Sequence, residues 1–249
     1  MKNKVIVVTG GAQGIGRKII FHFLENNWKS AIWEFDREAG DKLVKELNHP
    51  DFLNIKCNVA VEDEVENAVR LTLERFGRID VLVNNAAIKC NKPLSSLSLL
   101  DWQKVIDVNL TGPFICSKYC ETELKRNRGS IINICSTRAF QSECNTEAYS
   151  ASKGGVFSLT HALAVSLGPD IRVNSISPGW IDQSEEQKNG VAKKEFFSDE
   201  DHLQHPAGRI GKTDDIARIV WFLSQPENSF ITAQDFVVDG GMTRKMIYL

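Results

Sequence analysis

The chain has 249 residues, 42% of them hydrophobic and 25% charged, with a formal net charge of −2. This is ordinary globular composition, long enough to bury a sizeable core. With no basic stripe and no run of 18 apolar residues, neither nucleic acid nor a membrane is an expected partner.

Six cysteines (Cys57, Cys90, Cys116, Cys120, Cys135 and Cys144) are scattered without a C-x-x-C pair. They read as free thiols of a reducing compartment. The apolar run Val5–Val8 is too short for a signal sequence, so the expected location is cytoplasmic.

In chain order, residues 4–8 predict a buried strand and 15–27 a helix with apolar residues at helical spacing. Strands are expected at 29–35 and 51–57, with a helix at 38–47 between them. A helix over 62–77 ends at Gly77, and a strand follows over 79–86. Residues 99–127 predict one long helix that bends near Gly112-Pro113. A strand at 129–136, a helix at 147–167 and a strand at 171–179 come next. A helix at 213–225, capped by Thr213 and Asp214, leads to a last strand at 235–241. Such alternation implies a parallel sheet with helices on both faces. No linker or repeat interrupts it, so residues 1–249 are expected to form one dinucleotide-binding and catalytic domain. The polar insert 182–209 follows a strand's carboxyl end, where open α/β sheets bind ligand, and is expected to act as a substrate lid.

The stretch V-T-G-G-A-Q-G-I-G-R (8–17) follows the first strand and opens the first helix. Gly10, Gly14 and Gly16 permit a tight turn and let backbone N–H groups approach a pyrophosphate at a helix N-terminus. No Lys-Ser/Thr follows, so the loop is not that of an NTPase. The second strand ends in W-E-F-D, where a carboxylate can bind both ribose hydroxyls and repel a 2′-phosphate. Glu34 is the first choice for that role and Asp36 the alternative. Gln13 rather than a cation precedes Gly14, and Arg37 is the one nearby group that would favour a phosphate. NAD is therefore expected over NADP.

Tyr149 and Lys153 share a helix face in Y-S-A-S-K. A free phenol titrates near pH 10, so a Tyr base near neutrality needs about 3–4 kcal/mol of preferential phenolate stabilisation. A nearby ammonium and an oxidised nicotinamide act in that direction. The small neighbours Ser150, Ala151, Ser152, Gly154 and Gly155 are expected to let the helix approach cofactor and sheet.

The glycine pattern, N-N-A-A (84–87), Y-S-A-S-K (149–153) and S-P-G (177–179), in this order, resemble the short-chain dehydrogenase/reductase family of the classical type. The resemblance runs through to V-D-G-G-M (238–242). It implies a Rossmann-type doubly wound sheet of order 3-2-1-4-5-6-7. It also implies a catalytic tetrad of Asn109, Ser136, Tyr149 and Lys153. Tyr149 would exchange a proton with an alcohol while hydride passes between the carbinol carbon and the nicotinamide. Ser136 would bind the substrate oxygen. Lys153 would also bind the nicotinamide ribose, and Asn109 would position a water in a relay to Lys153. Cofactor contacts are implied for Gly10, Gln13, Gly14, Ile15, Gly16 and Glu34, and for Asn58 and Val59. They are further implied for Asn85, Ala86, Tyr149, Lys153, Pro178, Gly179 and Ile181. A homotetramer is implied, with a dimer as the alternative.

Four positions depart from the family's pattern. Ala87 and Ala233 stand where Gly is usual. Asn58 replaces an Asp that contacts adenine, although its amide oxygen can still accept. Gln183 replaces a Thr that holds the carboxamide, with Ser184 as a substitute. His202 and His205 lack a third ligand, and no metal site is expected. Trp180 follows Pro178-Gly179 beside the expected nicotinamide pocket, and Arg138 could meet an anionic substrate. The expected function is NAD(H)-dependent interconversion of a secondary alcohol and a ketone on a small-molecule substrate. The mixed charge of segments 89–98, 137–146 and 182–209 leans toward a polar hydroxy compound, such as a sugar or hydroxy acid. The alternatives are an NADPH-dependent 3-oxoacyl thioester reductase and a non-catalytic NAD-sensing protein.

Overall fold

In the computed structural model, which describes residues 3–187 and 196–246, the first strand already sets the layering. β1 (Val5–Thr9) is buried along its length. Its side chains alternate: Val5 and Val7 enter one core, Ile6 and Val8 the other. A strand buried on both faces needs helices on both sides.

The chain supplies them in alternation. α1 (Gly14–Glu25), β2 (Lys29–Glu34), α2 (Arg37–Leu47), β3 (Phe52–Lys56), α3 (Glu62–Phe76) and β4 (Val81–Asn84) form the first half. α4 (Leu99–Ile106), α5 (Gly112–Asn127), β5 (Ser130–Ile134), α6 (Glu147–Leu167) and β6 (Arg172–Pro178) follow. Then come β7 (Ile181–Asp182), α7 (Asp199–Leu203), β8 (Gly211–Lys212), α8 (Thr213–Ser224) and β9 (Asp235–Val238). Seven strands make one parallel sheet in the order β3-β2-β1-β4-β5-β6-β9. This is the expected 3-2-1-4-5-6-7; the seventh strand carries the label β9 because β7 and β8 pair separately. One core joins the sheet to α3, α5 and α6 through Val65, Ile115, Leu124 and Ala164. The other joins it to α1, α2 and α8 through Ile19, Phe23, Leu43 and Val220. The result is a single α/β domain.

Local chemistry sets the element ends. The Asp36 side chain caps α2 by accepting the Ala39 N–H at 3.1 Å. α3 stops at Gly77, whose φ of 78° is the left-handed cap that glycine adopts freely. Thr213 and Asp214, expected to cap α8, lie inside it. The cap residue is Lys212, whose N–H donates to the Asp215 carboxylate at 2.8 Å, while Asp214 pairs with Arg218. The insert 182–209 contains more regular structure than its polarity suggests, because Ser198 and Asp201 form a capping box that starts α7. Its residues 188–195 lie outside the described residues.

The path 99–127 passes from α4 to α5 through a π-helical stretch, Asp107–Thr111, just before the Gly112-Pro113 pair. Pro113 has no N–H to offer the Asn109 carbonyl four residues earlier. The backbone widens instead, and the Gly112 N–H bonds the Asp107 carbonyl.

Candidate active site

Sheet order reverses between β1 and β4, and their carboxyl ends open there into a cleft of about 1600 Å³. That exceeds the 300–1,000 Å³ or so of a drug-sized site and is room for a dinucleotide and a substrate together.

The glycine loop forms one wall. Gly10 has φ +61°, and a Cβ there would sit 3.0 Å from the Ala86 Cα. A Cβ on Gly16 would lie 2.5 Å from the Gly10 carbonyl oxygen and 2.6 Å from Asn85 Nδ2. The Asn85 carboxamide explains that crowding: it donates to the carbonyls of Thr9 and Gly10 at 3.0 and 2.9 Å. Thr9 Oγ1 in turn accepts the N–H groups of Asn85 and Ala86, each at 3.0 Å. The N-N-A-A motif thus braces the glycine loop from the neighbouring strand. Sequence reasoning missed Thr9 because a Thr at a strand end carries no signal until its partner strand is known.

Gln13, Gly14 and Ile15 line the cleft, whereas Gly16 lies beneath the loop. Glu34 and Asp36 line its far end. Glu34 is 8% exposed, and its two carboxylate oxygens accept the N–H groups of Ala12 at 3.0 Å and Asp36 at 2.9 Å. Burial raises its pKa, and those amide bonds pull it back down. Arg37 turns away to Asp41, 3.6 Å distant. Val59 and Asn58 also line the cleft. The Asn58 amide oxygen, expected to face adenine, accepts the Ala60 N–H at 3.1 Å in a tight turn.

The chemistry end is built where β5 stops and α6 begins. Ser136 follows β5, accepts the Arg138 N–H at 3.1 Å and lines the cleft together with Tyr149. Lys153 is 3% exposed, and its Nζ lies 5.6 Å from the Tyr149 ring centre. That Nζ donates to the Ile134 carbonyl at 2.7 Å, and the Cys135 thiol donates back to the Lys153 carbonyl at 3.1 Å. Burial lowers the Lys153 pKa to about 8. Tyr149 moves up: burial outweighs the opposing pull of Lys89, Ser136 and Arg138. The lowering contributions thus come from these groups rather than from the Lys153 ammonium expected to supply them, and their sum does not depress the phenol.

Asn109 stands behind the wall. Its side chain is 1% exposed and is spent on Ile88 N–H, the Ile88 carbonyl and Ser152 Oγ, at 2.8, 2.9 and 3.1 Å. Of the small residues around Tyr149, Gly155 is required by contact, since a Cβ there would lie 2.6 Å from Leu110 Cδ2. A Cβ on Gly154 would meet nothing within 4 Å, so that glycine has no packing reason among the described residues.

Pro178, Gly179, Trp180 and Ile181 close the cleft from β6. Gln183 and Ser184 also line it, and the Gln183 carboxamide reaches across to lie over Gly14. Glu186, 8% exposed, accepts Arg17 Nε at 2.8 Å and Lys18 Nζ at 2.9 Å, which fastens the start of the insert to α1. His202 and His205 serve as loop ties: the His202 ring accepts the Ile210 N–H at 3.1 Å, and His205 Nδ1 lies 3.2 Å from the Asp201 carbonyl.

Comparison with known proteins gives the same picture. A family model described as Enoyl-(Acyl carrier protein) reductase matches residues 10–243. An uncharacterized oxidoreductase of Thermotoga maritima is 54% identical over 254 aligned positions, covering all of this chain and 99% of its own. The 3-oxoacyl-[acyl-carrier-protein] reductase FabG of Chlamydia pneumoniae is 35% identical, with 96% of this chain and 97% of its own length covered. Among solved structures, an apo SCOR enzyme from Clostridium thermocellum superposes with a TM-score of 0.90 at 42% identity, over 99% of this chain and 95% of that one. No described helix is long and apolar enough to cross a membrane. With the glycine loop, the Tyr-Lys pair and the strand order in place, the chain belongs to the short-chain dehydrogenase/reductase family and is an oxidoreductase with a nicotinamide cofactor.

Proposed function

We propose that this protein is an NAD(H)-dependent dehydrogenase/reductase that interconverts a secondary alcohol and a ketone. The observation that carries the reading is the placement of Ser136, Tyr149 and Lys153 together on the cleft wall, just past the carboxyl end of β5, with Lys153 Nζ 5.6 Å from the Tyr149 ring centre. The cleft fits a dinucleotide: the glycine loop offers N–H groups at an N-terminus, and β-methyls on Gly10 or Gly16 would fill the cradle. When bound, the nicotinamide accepts or gives the hydride. Tyr149 exchanges the proton at its phenol oxygen with the substrate oxygen, and Ser136 Oγ holds that oxygen as charge develops. The Lys153 ammonium favours the phenolate and is held in place by the Ile134 carbonyl. Asn109 acts as a positioning residue through Ile88 and Ser152. Its main-chain carbonyl, which Pro113 leaves without the usual helical donor, is where a relay water toward Lys153 would sit.

Glu34 supports NAD over NADP. Its carboxylate is fixed at the end of β2 by two backbone amides, and a 2′-phosphate approaching it would meet like charge with Arg37 turned away. A second reading, reduction of a 3-oxoacyl thioester with NADPH, draws on the FabG relative; Glu34 speaks against it. Phe114 on α5 and Val165 on α6, 50% and 81% exposed, support burial of these helices in a homotetramer. The insert 182–209 is the substrate lid in this reading, hinged where Glu186 meets Arg17 and Lys18. A cytoplasmic site fits the unpaired cysteines.

The test is reduced-nicotinamide absorbance on mixing protein with NAD, then NADP, across polyols, sugars, hydroxy acids and sterols at mildly alkaline pH. Turnover with NAD that disappears in Tyr149→Phe supports cofactor, chemistry and base together. Turnover with NADP alone, or turnover that survives in the Phe variant, overturns the reading.

A further inference from the structure

The cleft wall beside Tyr149 carries a cation that no acidic group among the described residues answers. Among the described residues, four cationic side chains line the cleft: Lys89, Lys104, Arg138 and Lys153. Arg138 is paired with Glu143, and Lys153 donates to the Ile134 carbonyl. Lys89 and Lys104 have no hydrogen-bonding or ion-pairing acceptor among those residues, and of the two it is Lys89 that stands at Tyr149: its Nζ lies 5.8 Å from the ring centre, nearly as close as Lys153 at 5.6 Å. The acidic groups at this end are engaged, Asp107 by Gln103 at 2.7 Å and Glu143 by Arg138. Glu34 and Asp36 stand at the opposite end of the cleft, beyond the glycine loop.

Position singles Lys89 out. The residue before it, Ile88, has its N–H and its carbonyl both held by the buried Asn109 carboxamide. The backbone that carries Lys89 is thereby locked to the element that supports Ser152 and α6. Lys89 is exposed and lines the cleft, so its ammonium can meet a ligand anion.

We propose that Lys89 is the substrate-anion receptor of this site and that the substrate is a small hydroxy acid, interconverted with its oxo acid. The inference rests on the oxidoreductase reading above. With the reacting oxygen held by Tyr149 and Ser136, a carboxylate one or two carbons away reaches the Lys89 ammonium. In the oxidation direction the carbinol C–H bond breaks and its electron pair leaves as hydride to the nicotinamide. The hydroxyl proton passes to Tyr149, and a C=O bond forms. A single lysine, with Arg138 already paired, suits a monoanionic carboxylate better than a phosphate, which draws arginine forks and clustered donors.

The test pairs acids with neutral counterparts in the NAD-linked assay: lactate with 2-propanol, 3-hydroxybutyrate with 2-butanol, glycerate with glycerol, and glycerol 3-phosphate as the phosphate arm. Wild-type kcat/KM favours at least one carboxylate over its neutral counterpart by tenfold or more. Lys89→Met lowers that acid-to-neutral ratio about tenfold, chiefly through KM, and Lys89→Arg restores it to within about threefold. Equal loss on acid and neutral substrates, a preference for the neutral series, or a preference for glycerol 3-phosphate overturns the proposal. Binding is read alongside from the fluorescence of the NADH complex on titration with pyruvate and 3-oxobutyrate. Silence from both oxo acids in a protein that binds NADH and turns over no acid overturns it and leaves the oxidoreductase reading standing. Failure to bind NADH at all strikes instead at that underlying reading.

Discussion

The Asn109 carboxamide holds both backbone polar groups of Ile88, accepting its N–H at 2.8 Å and donating to its carbonyl at 2.9 Å. A carboxamide does this because it carries a donor and an acceptor on one carbon. Asn109→Ala leaves both groups without that partner in a buried setting, a loss of about 1–3 kcal/mol, and lowers Tm by about 3–10 °C. Since the side chain does not line the cleft, the affinity for NADH changes little, while kcat falls about tenfold or more through displaced reacting groups. Thermal melts, NADH titration and steady-state kinetics on one preparation separate the three effects.

Lys153 gives the protein a stability that depends on pH. Its folded pKa, about 8, lies below the unfolded value of about 10.5. Between those values the unfolded chain binds more protons, so stability from this group rises with pH. It is fully present above about pH 10.5 and lost as pH falls through 8. The cost of the buried charge below pH 8 is about 3 kcal/mol. Lys153→Met is therefore inactive yet more stable than wild type at pH 7, and the gap closes toward pH 10. Urea melts of both proteins at pH 7 and pH 10 check the sign.

Two glycines of the loop differ in what a methyl would meet. At Gly14 the φ of +56° costs an alanine about 1 kcal/mol, but the atom in the way is the far end of the flexible Gln183 side chain. At Gly16 a methyl would meet the Gly10 carbonyl and the Asn85 carboxamide, which hold one another. Gly16→Ala therefore weakens NADH binding about tenfold or more, and Gly14→Ala less. Isothermal titration with NADH measures the difference.

Glu34 has two duties, and they separate by assay. The proposed NAD preference predicts a wild-type kcat/KM at least about tenfold higher with NAD than with NADP. Glu34→Ala narrows that ratio and also strands the Ala12 and Asp36 amides, lowering stability by about 1–3 kcal/mol. Kinetics with both cofactors and a denaturant melt report the two effects independently.

The exposed Phe114 and Val165 predict a subunit contact across α5 and α6. The expected result of multi-angle light scattering is an assembly near four times the 27.9 kDa chain mass. Val165→Asp, which places a charge where burial is expected, yields smaller species.

The alternation of elements, the helices expected at 62–77 and 147–167, and the glycine loop were legible because each depends on near neighbours in sequence, whereas the strand order came from the family resemblance. The apolar run of β1, helical spacing in α1 and a glycine at position 77 are local signals. The α8 cap was misread because three acceptors stand in a row, Thr213, Asp214 and Asp215, and only the backbone path selects the third. The order within the insert went unread because a polar composition masks the Ser198–Asp201 capping box.

The sequence by itself determined the α/β architecture, the cofactor loop and the Tyr149-Lys153 pair, since these follow from spacing along one strand or one helix face. Only the tertiary structure decided what each polar side chain does with its hydrogen bonds. Asn85 went to the glycine loop, Asn109 to Ile88, and Lys89 was left open to the cleft. Hydrogen bonds act over about 3 Å, and groups 20 to 80 residues apart in sequence reach that range only after the sheet has formed.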